Sequence, residues 1–157
     1  MPSLPKRRRP AKRILILPDE TTIGFVTCCT KGRVPWLADE RCHTILSGIW
    51  KSADAWLVGR YVIMPDHVHL FASPGNLNIS LDDWIQYWKS LATKAIAEQD
   101  KRWQRDSWHR RLRCGDSYSA KWLYARENPV RKGLVGKPED WPFQGELYAL
   151  RWWENRR

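Results

Sequence analysis

Two histidines, His67 and His69, are spaced so that they could hold a metal ion together. They lie in a short apolar stretch, residues 67–71 (HVHLF), whose alternation is typical of a β-strand. Because side chains alternate between the two faces of a strand, both imidazoles would project from the same face. Imidazole nitrogens bind Zn²⁺, Mn²⁺ and related divalent ions. The alternative is a pair of hydrogen-bonded histidines without a ligand.

Tyr124 and Asn128 form a second candidate group. Four residues apart on a predicted helix, they share a face with Lys121 and Ser117. Tyrosine can act as a nucleophile that forms a covalent enzyme intermediate. Its unperturbed pKa near 10 means that phenolate at pH 7 costs on the order of 4 kcal/mol, which Lys121 or a nearby metal would reduce. Asn128 offers a carbonyl oxygen as a third metal ligand; the alternative is a packing tyrosine and a helix-ending asparagine.

Together these groups indicate phosphoryl transfer. A metal held by two histidines can polarise a phosphate as a Lewis acid, and a tyrosine opposite can attack the phosphorus to give a phosphotyrosine. Since Tyr124 lies far along the chain from His69, only the fold can bring them together.

The charge distribution indicates a nucleic-acid partner. The formal net charge is +10, and residues 101–137 carry 11 of the 27 basic side chains but only 3 of the 17 acidic ones. A concentrated basic field favours a polyanion, although a solvated basic face is the alternative. Some of the eleven tryptophans, beside arginines, could be platforms for unpaired bases.

The elements that must position these groups alternate between strand and helix. A cap at Ser80 and an apolar stripe predict the most strongly marked helix, which ends near Gln99. The predicted order is strand 22–27, helix 39–53, strand 55–64, a turn at 65–66, strand 67–71, helix 81–99, edge strand 108–113 and a helix from about 117 that Pro129 stops near Asn128. This order predicts an α+β fold with helices packed on one antiparallel sheet, close to a ferredoxin-like pattern.

The chain has the size of a single domain. Residues 1–20 are predicted to form a basic N-terminal arm that either contacts phosphates or is flexible, residues 21–148 the domain, and residues 149–157 a short basic and aromatic tail. No run of about 18 apolar residues occurs, which excludes a spanning helix, and the basic N-terminus lacks the apolar stretch of a secretion signal. Four cysteines without a C-x-x-C pair indicate reduced thiols in a cytoplasmic protein.

Several stretches resemble the single-tyrosine transposases with a His-hydrophobic-His motif. Residues 62–71 (VIMPDHVHLF) resemble that motif, and residues 124–135 (YARENPVRKGLV) resemble the tyrosine helix of the REP-associated tyrosine transposases. Two further stretches resemble other parts of that branch. One is residues 141–143 (WPF), and the other is residues 27–37, which are predicted to form the end of a strand, a basic turn and the returning chain. The similarity covers roughly residues 21–148, in order.

The resemblance implies a ferredoxin-like domain with the His pair on a central strand and the tyrosine on a late helix. It implies a metal-dependent transposase that nicks and rejoins single-stranded DNA next to hairpins, through a 5′-phosphotyrosine intermediate. The implied cofactor is Mg²⁺ or Mn²⁺, held by His67, His69 and Asn128, with Tyr124 as the nucleophile. The implied partner is single-stranded or hairpin DNA, bound by a monomer or homodimer.

Seven basic residues are candidates for DNA contacts: Arg110, Arg111, Arg113, Lys121, Arg126, Arg131 and Lys132. Tyr118 is a rival nucleophile, but it lies ten residues before Asn128 and does not fit the spacing of the tyrosine helix. Two other functions stay open. One is a nucleic-acid-binding protein of the same fold without catalytic activity. The other is a metallohydrolase that uses water, which lacks the expected further Asp, Glu or His residues near the pair.

Overall fold

The described part of the chain forms five short strands and four helices. The computed structural model describes residues 22–112 and 115–150, and of residues 115–117 it describes the backbone. The strands are β1 (Gly24–Cys29), β2 (Trp56–Ile63), β3 (His67–Pro74), β4 (Trp108–Arg111) and β5 (Gln144–Glu146). The helices are α1 (Glu40–Ser52), α2 (Leu81–Ile96), α3 (Gly115–Arg126) and α4 (Asn128–Arg131), with 3₁₀ turns at Lys31–Arg33 and Pro138–Asp140.

The strands form one antiparallel sheet in the order β4-β1-β3-β2-β5, with β3 in the centre. The first four strands and the first two helices follow the β-α-β-β-α-β succession of ferredoxin-like domains. The predicted α+β, ferredoxin-like fold with a central histidine strand is therefore confirmed. β5 was not predicted, and it extends the sheet beyond β2.

Helices α1 and α2 cover one face of the sheet, where the main core lies. Strand residues of β1 and β3 that alternate with the histidines, such as Val26, Val68 and Leu70, point into this core. Trp50, Trp84 and Trp88 fill it as fully buried side chains in edge-to-face contact. Most of the tryptophans therefore serve packing, at a burial that contributes several kcal/mol each.

Helix α3 covers part of the opposite face. Its Trp122 lies against Phe71, with ring centroids 6.3 Å apart. A second small cluster joins Ala125 of α3 to Val62 of β2 and to Trp141, whose indole donates to the Ile63 carbonyl at 3.0 Å. Because β3 alternates, this is also the face on which His67 and His69 lie.

Local signals explain where α1 and α2 begin. The Asp39 side chain accepts from the Cys42 amide at 2.7 Å, and the Ser80 hydroxyl accepts from the Asp83 amide at 3.1 Å, as the sequence predicts for α2. α2 ends at Ile96, three residues before the predicted end near Gln99, and the following Ala97 adopts a left-handed conformation. The tight turn at Pro65-Asp66 is closed by a 2.8 Å bond from the Met64 amide to the His67 carbonyl.

The prediction that Pro129 ends the late helix is wrong. α3 ends at Arg126, and Pro129 lies in the first turn of the separate helix α4, where a missing N–H breaks no helical bond.

β5 is held by the side chain of Gln144, which donates to two backbone carbonyls. At Gly145 an added Cβ would lie 2.7 Å from the Tyr61 hydroxyl, so this close approach of β5 to β2 requires glycine.

Some predictions fall outside the described residues. These are the basic arm at 1–20, the tail beyond residue 150, and Arg113. In the described part, Cys28, Cys29 and Cys42 are free thiols. None of the helices in that part is long and apolar enough to cross a membrane.

Candidate active site

The central strand β3 presents His67 and His69 side by side on the face that carries α3. Their ring centroids lie 4.7 Å apart at an interplanar angle of 74°. His67 is buried and His69 is half-buried. The prediction that both imidazoles project from one face of a central strand is confirmed.

His67 is fixed by hydrogen bonds at both ring nitrogens. Its Nδ1 lies 2.8 Å from Oδ1 of Asp66, and because a carboxylate only accepts, Nδ1 carries the proton. Nε2 therefore holds a lone pair, which accepts from the amide Nδ2 of Asn128 at 3.1 Å. Arg33 donates to the other oxygen of Asp66 at 3.0 Å and so orients this carboxylate.

His69 is held through the neighbouring strand β1. Its Nδ1 hydrogen-bonds the hydroxyl of Thr27 at 2.9 Å, and Thr27 is its direct cross-strand partner. Phe25 of the same strand stacks on the ring, with centroids 5.3 Å apart and an interplanar angle of 22°. Both histidines are thus anchored through Nδ1, which is the arrangement that orients metal-binding imidazoles through a second partner.

Burial keeps both imidazoles neutral. Burial, together with the smaller electrostatic effects of the neighbouring His67 and Arg131 side chains, lowers the pKa of His69 to about 3. Burial also lowers the pKa of His67, although the Asp66 carboxylate opposes this shift. Neutral imidazole is the form that binds metal ions, so no proton has to leave these rings first.

Asn128 contacts His67 from the start of α4. Helix α3 ends at Arg126, Glu127 keeps a right-handed helical backbone conformation, and Asn128 is the buried first residue of α4. Its amide now turns Nδ2 toward His67, and a rotation of the amide would turn Oδ1 toward the ring instead.

Two neutral imidazoles and an amide oxygen fit a divalent ion such as Mn²⁺. In the described part of the chain, no cluster of three or more His, Cys, Asp or Glu side chains that could hold a metal occurs.

Tyr124 lies one helical turn before Asn128 and is 59% exposed. The guanidinium of Arg131 lies 3.9 Å from the centroid of its ring and donates to its backbone carbonyl at 2.8 Å. The positive charge of Arg131 also lowers the pKa of His69. Arg131 is therefore close to both Tyr124 and the histidine pair, whereas the sequence had assigned the neighbouring positive charge to Lys121, which is half-buried on α3.

The remaining basic candidates are distributed unevenly around the pair. The charge of Lys132 lowers the pKa of His67, so it belongs to this region. Arg110 lies on β4 opposite Phe25, on the histidine face, while Arg111 pairs with Gly24. Arg126 forms an ion pair with Glu139 at 3.6 Å.

The rival Tyr118 is a packing residue. Its ring contacts Phe71 at a centroid distance of 5.0 Å, and burial raises the pKa of its hydroxyl.

Asp66, Thr27 and Phe25 support the site but were missed as functional residues. Asp66 directly precedes His67, which is a usable signal, whereas the positions of Thr27 and Phe25 depend on a strand register that the sequence does not encode locally.

The chain is similar to known transposases. The model of the IS200-like transposase family matches residues 22–136. A solved structure of a REP-associated tyrosine transposase bound to a REP hairpin has a TM-score of 0.70 and 21% identity, covering 80% of this chain and 76% of that one. A putative transposase from Deinococcus radiodurans R1 has a TM-score of 0.50 and 17% identity, covering 74% of this chain and 94% of that one. A comparison with curated proteins finds no match.

At these identities the two solved structures show a shared fold. The family model spans well over half of the chain, including β3 with both histidines and the segment from Tyr124 to Asn128. The predicted membership of a transposase family is therefore confirmed, and the chain belongs to the IS200-like transposases.

Proposed function

We propose that this transposase nicks and rejoins single-stranded DNA next to hairpin sequences through a 5′-phosphotyrosine at Tyr124. One observation carries the proposal: the Asn128 amide lies 3.1 Å from His67, and Tyr124 precedes Asn128 by one helical turn. These three side chains, which suit phosphoryl transfer, belong to β3, α3 and α4, and two of them, those of His67 and Asn128, are in direct contact. The basic side chains of Arg131 and Lys132 lie beside them and would attract a phosphate.

The DNA substrate is proposed from the REP-associated branch. A relative with the same fold is bound to a REP hairpin. The segment from Asn128 to Arg131 (NPVR) resembles the sequence of that branch. We therefore assign a hairpin with an unpaired flank as the substrate, acted on by a monomer or homodimer in the cytoplasm.

The proposed reaction conserves one phosphodiester linkage. The Tyr124 hydroxyl gives up its proton as its oxygen attacks the scissile phosphorus, the bond to the 3′-oxygen breaks, and that oxygen takes up a proton to become a free 3′-hydroxyl. A second 3′-hydroxyl then attacks the phosphotyrosine, which reforms a DNA linkage and releases Tyr124. His67, His69 and Asn128 would hold a divalent ion, Mg²⁺ or Mn²⁺, whose chemistry is to polarise and orient the phosphate.

Incubating the protein with end-labelled hairpin DNA tests this function. With Mn²⁺ or Mg²⁺ present, 3′-labelled DNA should give a denaturation-resistant protein adduct, and 5′-labelled DNA should give a shorter free fragment ending in a 3′-hydroxyl. A nick without an adduct would instead indicate a hydrolase that uses water. Salt-sensitive binding without any nick would indicate a nucleic-acid-binding protein of this fold.

Asp66→Asn should weaken metal binding by roughly 10- to 100-fold, the usual effect of losing a partner that orients a ligating histidine. The reason is that Asp66 accepts the Nδ1 proton of His67 at 2.8 Å and so directs Nε2 toward the proposed ion. Mn²⁺ titration followed by electron paramagnetic resonance measures the affinity. Asp54→Asn, which removes the same charge at an exposed position away from the site, is the control. Equal affinity of the two variants would contradict the assignment of His67 as a ligand.

A further inference from the structure

Arg33 adopts a backbone conformation that is uncommon for a residue with a side chain. It ends the 3₁₀ turn Lys31–Arg33, and its φ of 57° lies in the left-handed region, directly after Gly32 at 65°. A side chain disfavours this region, so surrounding contacts must enforce the conformation. Residues held in this way concentrate at functional sites.

Backbone hydrogen bonds enforce the turn against the connection between β2 and β3. The amide and the hydroxyl of Thr30 both donate to the Asp66 carbonyl, at 2.9 and 3.2 Å. The Arg33 amide donates to the Thr30 carbonyl at 3.1 Å. The turn is therefore fixed directly beside the start of β3, and the Arg33 side chain extends from it toward His67.

One nitrogen of the Arg33 guanidinium has an acceptor and two do not. Nε donates to Oδ2 of Asp66 at 3.0 Å, while Oδ1 of the same carboxylate accepts from His67. Nη2 lies 3.5 Å from Nδ1 of His67, but Nδ1 carries its own proton, so these two donors form no hydrogen bond. In the described part of the chain, neither Nη nitrogen has an acceptor, and their four N–H groups are available to an anion.

The positive charge of Arg33 faces the histidine pair and the solvent. Burial is the main cause that lowers the pKa of His67 and of His69, and the Arg33 charge acts in the same direction on both. The Arg33 side chain is 52% exposed, whereas that of Asp66 is 28% exposed. The positive end of this ion pair is therefore the end that a ligand entering the site meets.

Arg33 adds positive charge on a side of the site that α4 does not reach. Arg131 of α4 and the following Lys132 place their charges near the histidine pair. Arg33 approaches the same pair from the turn after β1. A phosphate at the pair would be attracted from both sides, and the planar guanidinium fork matches two phosphate oxygens.

We propose that Arg33 binds a backbone phosphate of the DNA strand at the histidine site, at or directly next to the scissile position. Nε stays on Asp66, and the Nη nitrogens donate to the phosphate oxygens. This inference rests on the proposed function, because it needs a DNA strand at that site. The anchored guanidinium loses little side-chain freedom on binding, which is what the enforced turn achieves.

DNA binding in the Tyr124→Phe background, with a chelator present, tests the contact apart from metal and cleavage. Arg33→Gln should weaken binding of a hairpin with an unpaired flank by roughly 10- to 100-fold at low salt, the loss of a charge-assisted hydrogen bond. The slope of log affinity against log salt should fall in magnitude by about 0.7, the value for one phosphate on a single strand. Arg33→Lys, which keeps the charge without the fork, should recover part of the affinity.

Lys51→Gln is the matched control for the loss of one positive charge. Lys51 is exposed on α1, which covers the face of the sheet opposite to the histidines. Its charge is screened from a strand at the site, so the affinity should change by less than about twofold.

Uncharged linkages locate the phosphate. Methylphosphonate, which removes the charge of one linkage, is placed singly at the scissile position and at each neighbouring position. At one of them it should weaken binding of the parent and not of Arg33→Gln, so that the two changes are coupled. Mn²⁺ affinity of Arg33→Gln, measured by electron paramagnetic resonance, should stay within about threefold of the parent, because the loss of an orienting contact and the loss of a repelling charge oppose each other.

A residue that only orients Asp66 gives the opposite pattern. Arg33→Gln would then lower Mn²⁺ affinity as Asp66→Asn does, with DNA affinity and salt slope unchanged, and this result would overturn the phosphate contact. Equal losses from methylphosphonate in both proteins at every position would also overturn it. The outcome is separable from the proposed cleavage. Coupling of Arg33 to one phosphate in a protein that forms no adduct would support the contact, whereas adduct formation without coupling would reject it.

Discussion

Tyr124→Phe is expected to abolish the covalent protein–DNA adduct while leaving binding of hairpin DNA nearly unchanged. The substitution removes only the phenolic oxygen, which is the proposed nucleophile. Loss of a nucleophile typically lowers the rate by roughly four to six orders of magnitude, which places the adduct below detection. Because Tyr124 is 59% exposed, the free energy of unfolding should change little. Denaturing electrophoresis measures the adduct, and fluorescence anisotropy with labelled hairpin measures binding.

Tyr118→Phe is the matched control on the same helix. In the described part of the chain, the Tyr118 hydroxyl is buried without a hydrogen-bond partner. Removing it should therefore be neutral or slightly stabilising, and adduct formation should persist. An undiminished adduct in Tyr124→Phe, or its loss in Tyr118→Phe alone, would contradict the assignment of the nucleophile. Nicking that continues in Tyr124→Phe without an adduct would support a metallohydrolase.

Substituting either histidine is expected to suppress cleavage and metal binding together. His67 and His69 are neutral, lie 4.7 Å apart between ring centroids and are oriented through Nδ1. Removing one proposed ligand should lower Mn²⁺ affinity by more than about 100-fold, beyond the loss expected for an orienting partner. The variants His69→Ala and His67→Ala test this loss of affinity. His67→Gln repeats the test with a larger side chain, which leaves a smaller cavity at the buried position. Calorimetry with Mn²⁺ measures binding, and the labelled-hairpin assay measures cleavage.

His43→Gln controls for the loss of an imidazole elsewhere. His43 lies on α1, across the sheet from the pair, where it hydrogen-bonds the Tyr61 hydroxyl at 2.7 Å. Glutamine can keep a hydrogen bond there, so metal affinity and cleavage should match the parent. Full Mn²⁺ affinity in both alanine variants, or cleavage that a chelator does not affect, would contradict the metal role of the pair.

The sequence predicts the elements well where one local rule decides. Alternation in residues 67–71 places both histidines on one face, and the cap at Ser80 marks the start of α2 within one residue. The succession of these elements is sufficient for the ferredoxin-like arrangement, because short connections and antiparallel pairing leave few alternatives. The edge strand predicted at 108–113 is observed as β4, which ends at Arg111.

The sequence does not predict features that depend on long-range pairing. Thr27 meets His69 across 42 residues, and only the register of β1 on β3 decides this. β5 is three residues long and has no strand signal of its own, since its side chains and the preceding turn fix it on β2. The break at Glu127 was missed because Pro129 ends a helix in one context and begins one in another.

The contact between His67 and Asn128 has a consequence for biosynthesis, because the two residues are 61 positions apart. At a synthesis rate of about 5–20 residues per second, a ribosome needs roughly 3 to 12 seconds to add this interval. A nascent chain therefore exposes its imidazole pair well before the amide and the phenol are translated. The complete pocket can assemble only after Asn128, as well as the histidine pair, has left the exit tunnel.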